Sequence, residues 1–145
     1  MEKEILEFIL PKELLHSFQI TKVEERVDGK TGNKSIVIEM EEINQVPIGY
    51  EQTRYESKGF YPTTLIQDFP IRGKAVYLAI KRRRWRNKQD QSDIISNDYS
   101  FIAEGSKITK ELSDFLKDTG RKQSWYHKEH FELLFCTRRQ IASAL

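Results

Sequence analysis

The 145-residue chain is predicted to be an α+β domain, a small antiparallel sheet of about four or five strands with an N-terminal helical segment and one or two C-terminal helices. Three observations predict it. Short runs alternate apolar and charged residues with a period of two, turn-rich clusters separate them, and segments of helical period stand near both ends.

Residues 3–18 predict one or two short helices. Ile5, Leu6, Phe8 and Ile9 form an apolar side, Pro11 interrupts it, and Leu14, Leu15 and Phe18 continue it. In "KSIVIEMEE", Ile36, Ile38 and Met40 alternate with Val37, Glu39 and Glu41. "DGKTGNK" separates this strand from the Ile20–Val27 run, so a β-hairpin is expected. Residues 43–61 have little periodicity and carry Pro47, Gly49 and Gly59, the pattern of an irregular connection.

Two further strands, "TTLIQDF" and "KAVYLAIKRRRWR", bracket the turn Pro70-Ile71-Arg72-Gly73. Val76, Leu78 and Ile80 point to one side of the second strand. Tyr77, Ala79, Lys81, Arg83 and Trp85 point to the other. Beyond Ile80 the inward series becomes Arg82 and Arg84, so the strand must leave the core and project into solvent or onto a partner. A short strand is expected around Asn97–Ala103. A helix follows Gly105, with Ser106 as its cap, Ile108, Leu112, Phe115 and Leu116 as its apolar side, and Gly120 as its terminator.

The chemistry-bearing residues are sparse. Cys136 is the single cysteine, so no internal disulfide is expected, no secretory signal pattern opens the chain, and the expected location is cytoplasmic. No apolar stretch nears the ~18 residues that a membrane span needs. His127, His130 and Cys136 have the donor chemistry of a zinc site, with His16 or a carboxylate as fourth ligand. Two surface histidines and a half-buried thiol are the simpler reading, and no metal or other cofactor is assigned. The pairs Glu24-Glu25 and Glu41-Glu42 lie on strands, where neighbours face opposite sides, and are expected to be solvated surface. No phosphate-binding glycine motif is present, and no catalytic residue is assigned.

Charge is segregated. Eight basic and no acidic residues fall between Arg72 and Lys88, whereas residues 89–104 hold four acidic and no basic ones. This is the footprint of a polyanion contact. The expected contacts are Lys81, Arg82, Arg83, Arg84, Arg86 and Lys88, with Arg72 and Lys74 at the turn and Trp85 bracing the strand or stacking. Lys107, Thr109 and Lys110, near a helix start, are second-rank phosphate contacts. A charged strand edge that resists aggregation is the competing reading.

The segment from Glu56 to Asp118, through "IQDFPIRGK", "VYL", "RRRW" and "GSKITK", resembles the N-terminal region of insertion-sequence transposases of the ISL-three type. It is most similar to the split bacterial group, of ISAon-one type, in which this region is a separate small protein. In zinc-binding members a basic and aromatic strand end runs into a C-x2-C knuckle. Here Asn87 and Asp90 stand near those positions, so the resemblance implies a lost metal site.

The resemblance also implies a non-catalytic half of a split transposase. Residues 1–120 would form the domain, and residues 121–145 a C-terminal helix or linker toward the catalytic subunit. Its partners would be the DNA of transposon ends and a separately encoded DDE transposase subunit, in the cytoplasm and associated with the nucleoid. A protein-interaction module that docks onto that subunit is the alternative.

Overall fold

The computed structural model describes residues 2–102 and 107–122, in an α+β arrangement with two sheets. Helices α1 (Glu2–Ile9) and α2 (Lys12–Ser17) precede strands β1 (Phe18–Val27), β2 (Lys34–Glu42), β3 (Tyr55–Phe60), β4 (Thr64–Ile71), β5 (Lys74–Lys81), β6 (Arg83–Asn87) and β7 (Ile94–Ile95). Helix α3 (Lys110–Lys122) follows.

The first sheet has the order β1-β2-β5-β4 and the second β3-β6-β7. The expectation of a single antiparallel sheet is therefore corrected. Among the described residues seven strands form two sheets, and β2 pairs with β5 in parallel, from Ser35 opposite Ala75 to Glu41 opposite Lys81.

The expected β1–β2 hairpin is present. Asp28 closes its turn by accepting from the Lys30 amide at 2.9 Å and the Thr31 hydroxyl at 2.6 Å. The β4–β5 turn places Arg72 (φ 51°) and Gly73 (φ 76°) at its two central positions, with Ile71 opposite Lys74. Positive φ at both matches a type I′ turn, the form that fits the twist of paired strands.

Strand β5 lies between β2 and β4, and Ala75 through Ile80 are all buried. A strand covered on both faces reads as a continuous apolar run, and "AVYLAI" is such a run. Val76, Leu78 and Ile80 join Ile38, Met40 and Ile66 in the main core. Leu10, Leu14, Phe18 and Phe101 pack against the same cluster. On the other face, Tyr77, Ala75 and Ala79 cluster with Val37 and Leu65.

Three expectations near the C-terminal side change. Residues 97–102 form no strand, and only an isolated bridge joins Ile102 to Thr109. Helix α3 starts at Lys110, and Thr109 caps it by accepting from the Leu112 amide at 3.3 Å. Ile108 bridges to Gln67 instead of entering the helix, and Ser106 lies outside the described residues. The helix also continues through Gly120 to Lys122, so that glycine does not terminate it. His127, His130 and Cys136 lie outside the described residues.

Candidate nucleic-acid interface

The basic run is contiguous in sequence but divided in space. Strand β5 ends at Lys81, the chain turns at Arg82, and β6 begins at Arg83 in the other sheet. The expected free strand end is thus overturned. β6 pairs with β3, with Trp85 opposite Ser57 and Arg86 opposite Glu56, and with β7, with Trp85 opposite Ile95 and Arg86 opposite Ile94.

Arg72 and Lys74 stand at the far end of β5. Its eight residues, at about 3.3 Å each, put them about 25 Å from β6. Lys74 there pairs with Glu25.

Alternation along β6 sorts its side chains. Arg83, Trp85 and Asn87 face inward, and each is engaged. The Arg83 guanidinium donates from Nη1 to Ser57 Oγ at 2.9 Å and lies 4.6 Å over the Phe60 ring. Trp85 is fully buried, and its Nε1–H donates to Asn44 Oδ1 at 3.1 Å. Of the two expected roles for Trp85, bracing is the one its burial allows. A 0% exposed indole cannot stack on a base in this conformation.

Behind Arg83 lies Glu42, 1% exposed. Its Oε2 accepts the Arg83 backbone N–H at 2.7 Å. Its Oε1 accepts from Asn97 Nδ2 at 2.8 Å and from the Tyr99 hydroxyl. Burial, and then the neighbouring Glu42, push the Tyr99 hydroxyl well above its ordinary range. Expecting the Glu41-Glu42 pair to be solvated surface was wrong for Glu42. Its partners come from the loop after β7 and from the second sheet, which a local pattern cannot reveal. Lys81 pairs with Glu41 at 3.2 Å, and Arg82 donates to the Asn97 carbonyl and lies 3.9 Å from Asp98.

The outward face is different. Arg84 and Arg86 project from β6, and Lys88 follows them in the alternation, its amide donating to the Arg54 carbonyl at 2.8 Å. Across the strands, Arg84 Nε donates to the Lys58 carbonyl at 3.0 Å, and Glu56 stands opposite Arg86. The face is therefore a ladder of three cross-strand neighbours: Lys58 with Arg84, Glu56 with Arg86, and Arg54 with Lys88. Two of the three set a cation beside a cation, and Arg54 of the last is paired with Glu51 at 2.8 Å. Glu56 is the carboxylate of this ladder, 3.1 Å from Lys58 and 3.7 Å from Arg86. The hydrogen bond from Lys58, and then the charges of Arg86 and Lys88, hold its carboxyl below the ordinary range. Lys58, Arg84 and Arg86, with Gln91 and Ile94, also line a shallow cavity of about 150 Å³.

The loop after β6, where the resemblance aligns a metal knuckle, is held by side-chain hydrogen bonds. Gln89 N–H donates to Asn87 Oδ1 at 3.0 Å, Ser92 Oγ–H to Asp90 Oδ1 at 2.6 Å, and Tyr55 O–H to Asp93 Oδ2 at 2.7 Å. Among the described residues, no group of three or more His, Cys, Asp or Glu side chains is placed to hold a metal ion.

No family model matches the chain, and neither a curated protein nor a solved structure matches it. Among the described residues no helix is long and apolar enough to cross a membrane.

The second-rank residues lie elsewhere. Thr109 is 0% exposed, donates to Asp68 Oδ1 at 2.9 Å and accepts from Leu112, so its hydroxyl serves the fold and is closed to a phosphate. The Lys110 amide is also committed, donating to the Phe101 carbonyl at 2.7 Å. The Lys107 carbonyl accepts from the Gln67 amide at 2.9 Å, placing this segment beside β4 of the first sheet. Sequence reasoning missed Lys58 and Arg54, which come to the basic face from a strand with no apolar alternation. A cleft of about 510 Å³ lies between α2 and residues 43–48 and 97–101. Its buried carboxylate, Glu42, already accepts the three hydrogen bonds described above.

Proposed function

We propose that the chain is a non-catalytic DNA-binding protein that acts in transposition, holding DNA on the outward face of β3 and β6. The single observation that carries this reading is the gathering of Arg54, Lys58, Arg84, Arg86 and Lys88 along one face of β3 and β6, five cations beside the two carboxylates Glu51 and Glu56. Like charges on neighbouring strands destabilise a sheet unless an anion lies across them. A phosphate chain supplies such anions, and its binding releases counterions. The setting, one half of a split transposase working in the cytoplasm beside the nucleoid, comes from the resemblance carried by "IQDFPIRGK" and "RRRW".

A titration of the full chain into labelled duplex, followed by fluorescence anisotropy, tests this reading. Saturable binding at about 50 mM salt that weakens steeply by about 200 mM is expected. No binding at the lower salt would overturn it.

A second reading is favoured by α1. Ile5, Phe8 and Ile9 are 60%, 92% and 48% exposed on an eight-residue helix whose Leu6 packs on the core. Such an apolar side fits docking to a separately encoded DDE catalytic subunit. Co-purification with that subunit, lost in Ile5→Ser/Phe8→Ser, would support docking. Co-purification that survives the double change would place the contact elsewhere.

A further inference from the structure

Resting on the DNA-binding reading above, we infer that the small cavity on the β3–β6 face is a subsite for one phosphomonoester, and that its occupant is the terminal phosphate of a DNA strand. Lys58, Arg84 and Arg86 line it, with Gln91 from the loop after β6 and Ile94 of β7.

Size limits the occupant. The cavity's volume of about 150 Å³ is several times the ~30 Å³ share of a water molecule and well short of the roughly 300 Å³ at which cofactor-sized sites begin. A single tetrahedral oxyanion is of that scale. The side chains then set its chemistry. Arg84 donates its Nε–H to the Lys58 carbonyl at 3.0 Å, which tethers the guanidinium and leaves its terminal N–H groups for a ligand. The Lys58 ammonium, the Arg86 guanidinium and the Gln91 amide add further donors around the same space.

Charge chooses between kinds of phosphate. Three cations line the cavity, and one carboxylate, Glu56, stands 3.1 Å from Lys58 and 3.7 Å from Arg86. The local excess of two positive charges matches a phosphomonoester, which carries about −1.5 to −2 at pH 7. An internal phosphodiester brings one negative charge and meets half of that excess. The row beyond the cavity points to the source. Lys88 and Arg54 continue the outward face past Arg86, at about 6.8 Å for each second residue of a strand. A strand seated by its terminal phosphate lays its next phosphates on these cations, which a free phosphate ion cannot reach.

The test titrates the full chain, at about 50 mM salt, into a labelled duplex of about 20 base pairs with phosphates at all four strand ends, and into the same duplex with hydroxyl ends. Terminal phosphates are expected to tighten binding about tenfold, the worth of one hydrogen bond between charged partners. The gain should vanish in Arg84→Gln and in Lys58→Gln, both exposed side chains, and persist in Lys88→Gln, which weakens both duplexes alike. A parallel thermal melt adds inorganic phosphate, with chloride at matched ionic strength as control. Phosphate is expected to raise the midpoint of the wild type and not that of Arg84→Gln.

Equal affinity for the two duplexes would overturn the strand-end assignment while leaving DNA binding in place. If inorganic phosphate still stabilised the wild type, the cavity would belong to a free phosphate; if it did not, the subsite itself would fall. A gain that survives both Arg84→Gln and Lys58→Gln would also overturn the inference, by placing the terminal phosphate elsewhere. Failure of both duplexes to bind would instead overturn the DNA reading.

Discussion

Glu42 Oε2 accepts the backbone N–H of Arg83 at 2.7 Å, while Arg83 Nε–H donates back to the Glu42 carbonyl at 2.9 Å. This reciprocal pair fixes the end of β2 to the start of β6, and so sets how the basic strand leaves the first sheet. Glu42→Ala would strand the Arg83 amide, the Asn97 amide group and the Tyr99 hydroxyl. A buried donor left unsatisfied costs about 1–3 kcal/mol. The expected loss is about 3 kcal/mol or more, read by urea denaturation, with a smaller loss for Glu42→Gln.

Asp68 predicts a pH dependence. Burial holds its carboxyl above the ordinary range, although the Phe69 amide and the Thr109 hydroxyl both donate to it. A carboxyl whose folded pKa is raised binds more protons in the native state between its unfolded and folded values. Stability is therefore lost as pH rises through that window, and the loss is complete above the folded value. Asp68→Asn keeps an acceptor for Thr109 and removes the charge. Thermal melts should show the variant gaining on the wild type from pH 4 to pH 7.5. A difference that stays flat with pH would refute the assignment.

Arg72 adopts φ 51°, a left-handed conformation that costs a non-glycine residue about 1 kcal/mol. Asparagine tolerates that conformation and leads the Asn-Gly pairs of type I′ turns. Arg72→Asn is expected to raise stability by up to about 1 kcal/mol in chemical denaturation. It removes a cation that lies far from β6, so duplex affinity should stay unchanged.

Glu56 occupies the place on the outward face that a phosphate would take, between Lys58 and Arg86. Glu56→Gln frees both cations. Duplex affinity at low salt is expected to rise several-fold, and the salt slope to steepen by about 1. Unchanged affinity would mean that Lys58 and Arg86 do not meet the DNA.

Much of this architecture was legible in the sequence, and what escaped did so for physical reasons. The β1–β2 hairpin showed through alternation and the Asp28-to-Lys34 turn, and the burial of β5 through its unbroken apolar run. β3 stayed hidden because its inward residues, Tyr55 and Ser57, carry no apolar alternation. The parallel pairing of β2 with β5 joins segments about 40 residues apart, and short-range patterns hold no trace of it.

The basic run misled in a specific way. Contiguity from Arg72 to Lys88 looked like one patch. In the fold, a buried strand separates its two ends, alternation turns Arg83 and Trp85 inward, and β3 contributes Lys58 and Arg54. The cap shifted from Ser106 to Thr109 because the segment before α3 pairs with β4 first, and the bridge from Gln67 to Ile108 delays the helix by a turn.

The most direct test sets two triple variants against each other in the duplex titration. Lys58→Gln/Arg84→Gln/Lys88→Gln removes three of the five cations of the outward face, and Arg72→Gln/Lys74→Gln/Lys110→Gln removes as much charge from distant surfaces. The first is expected to lower affinity at least about tenfold at 50 mM salt and to flatten the salt slope by about 2.7. The second should leave both nearly unchanged. Equal losses in the two variants, or a loss confined to the second, would contradict the placement of DNA on the β3–β6 face.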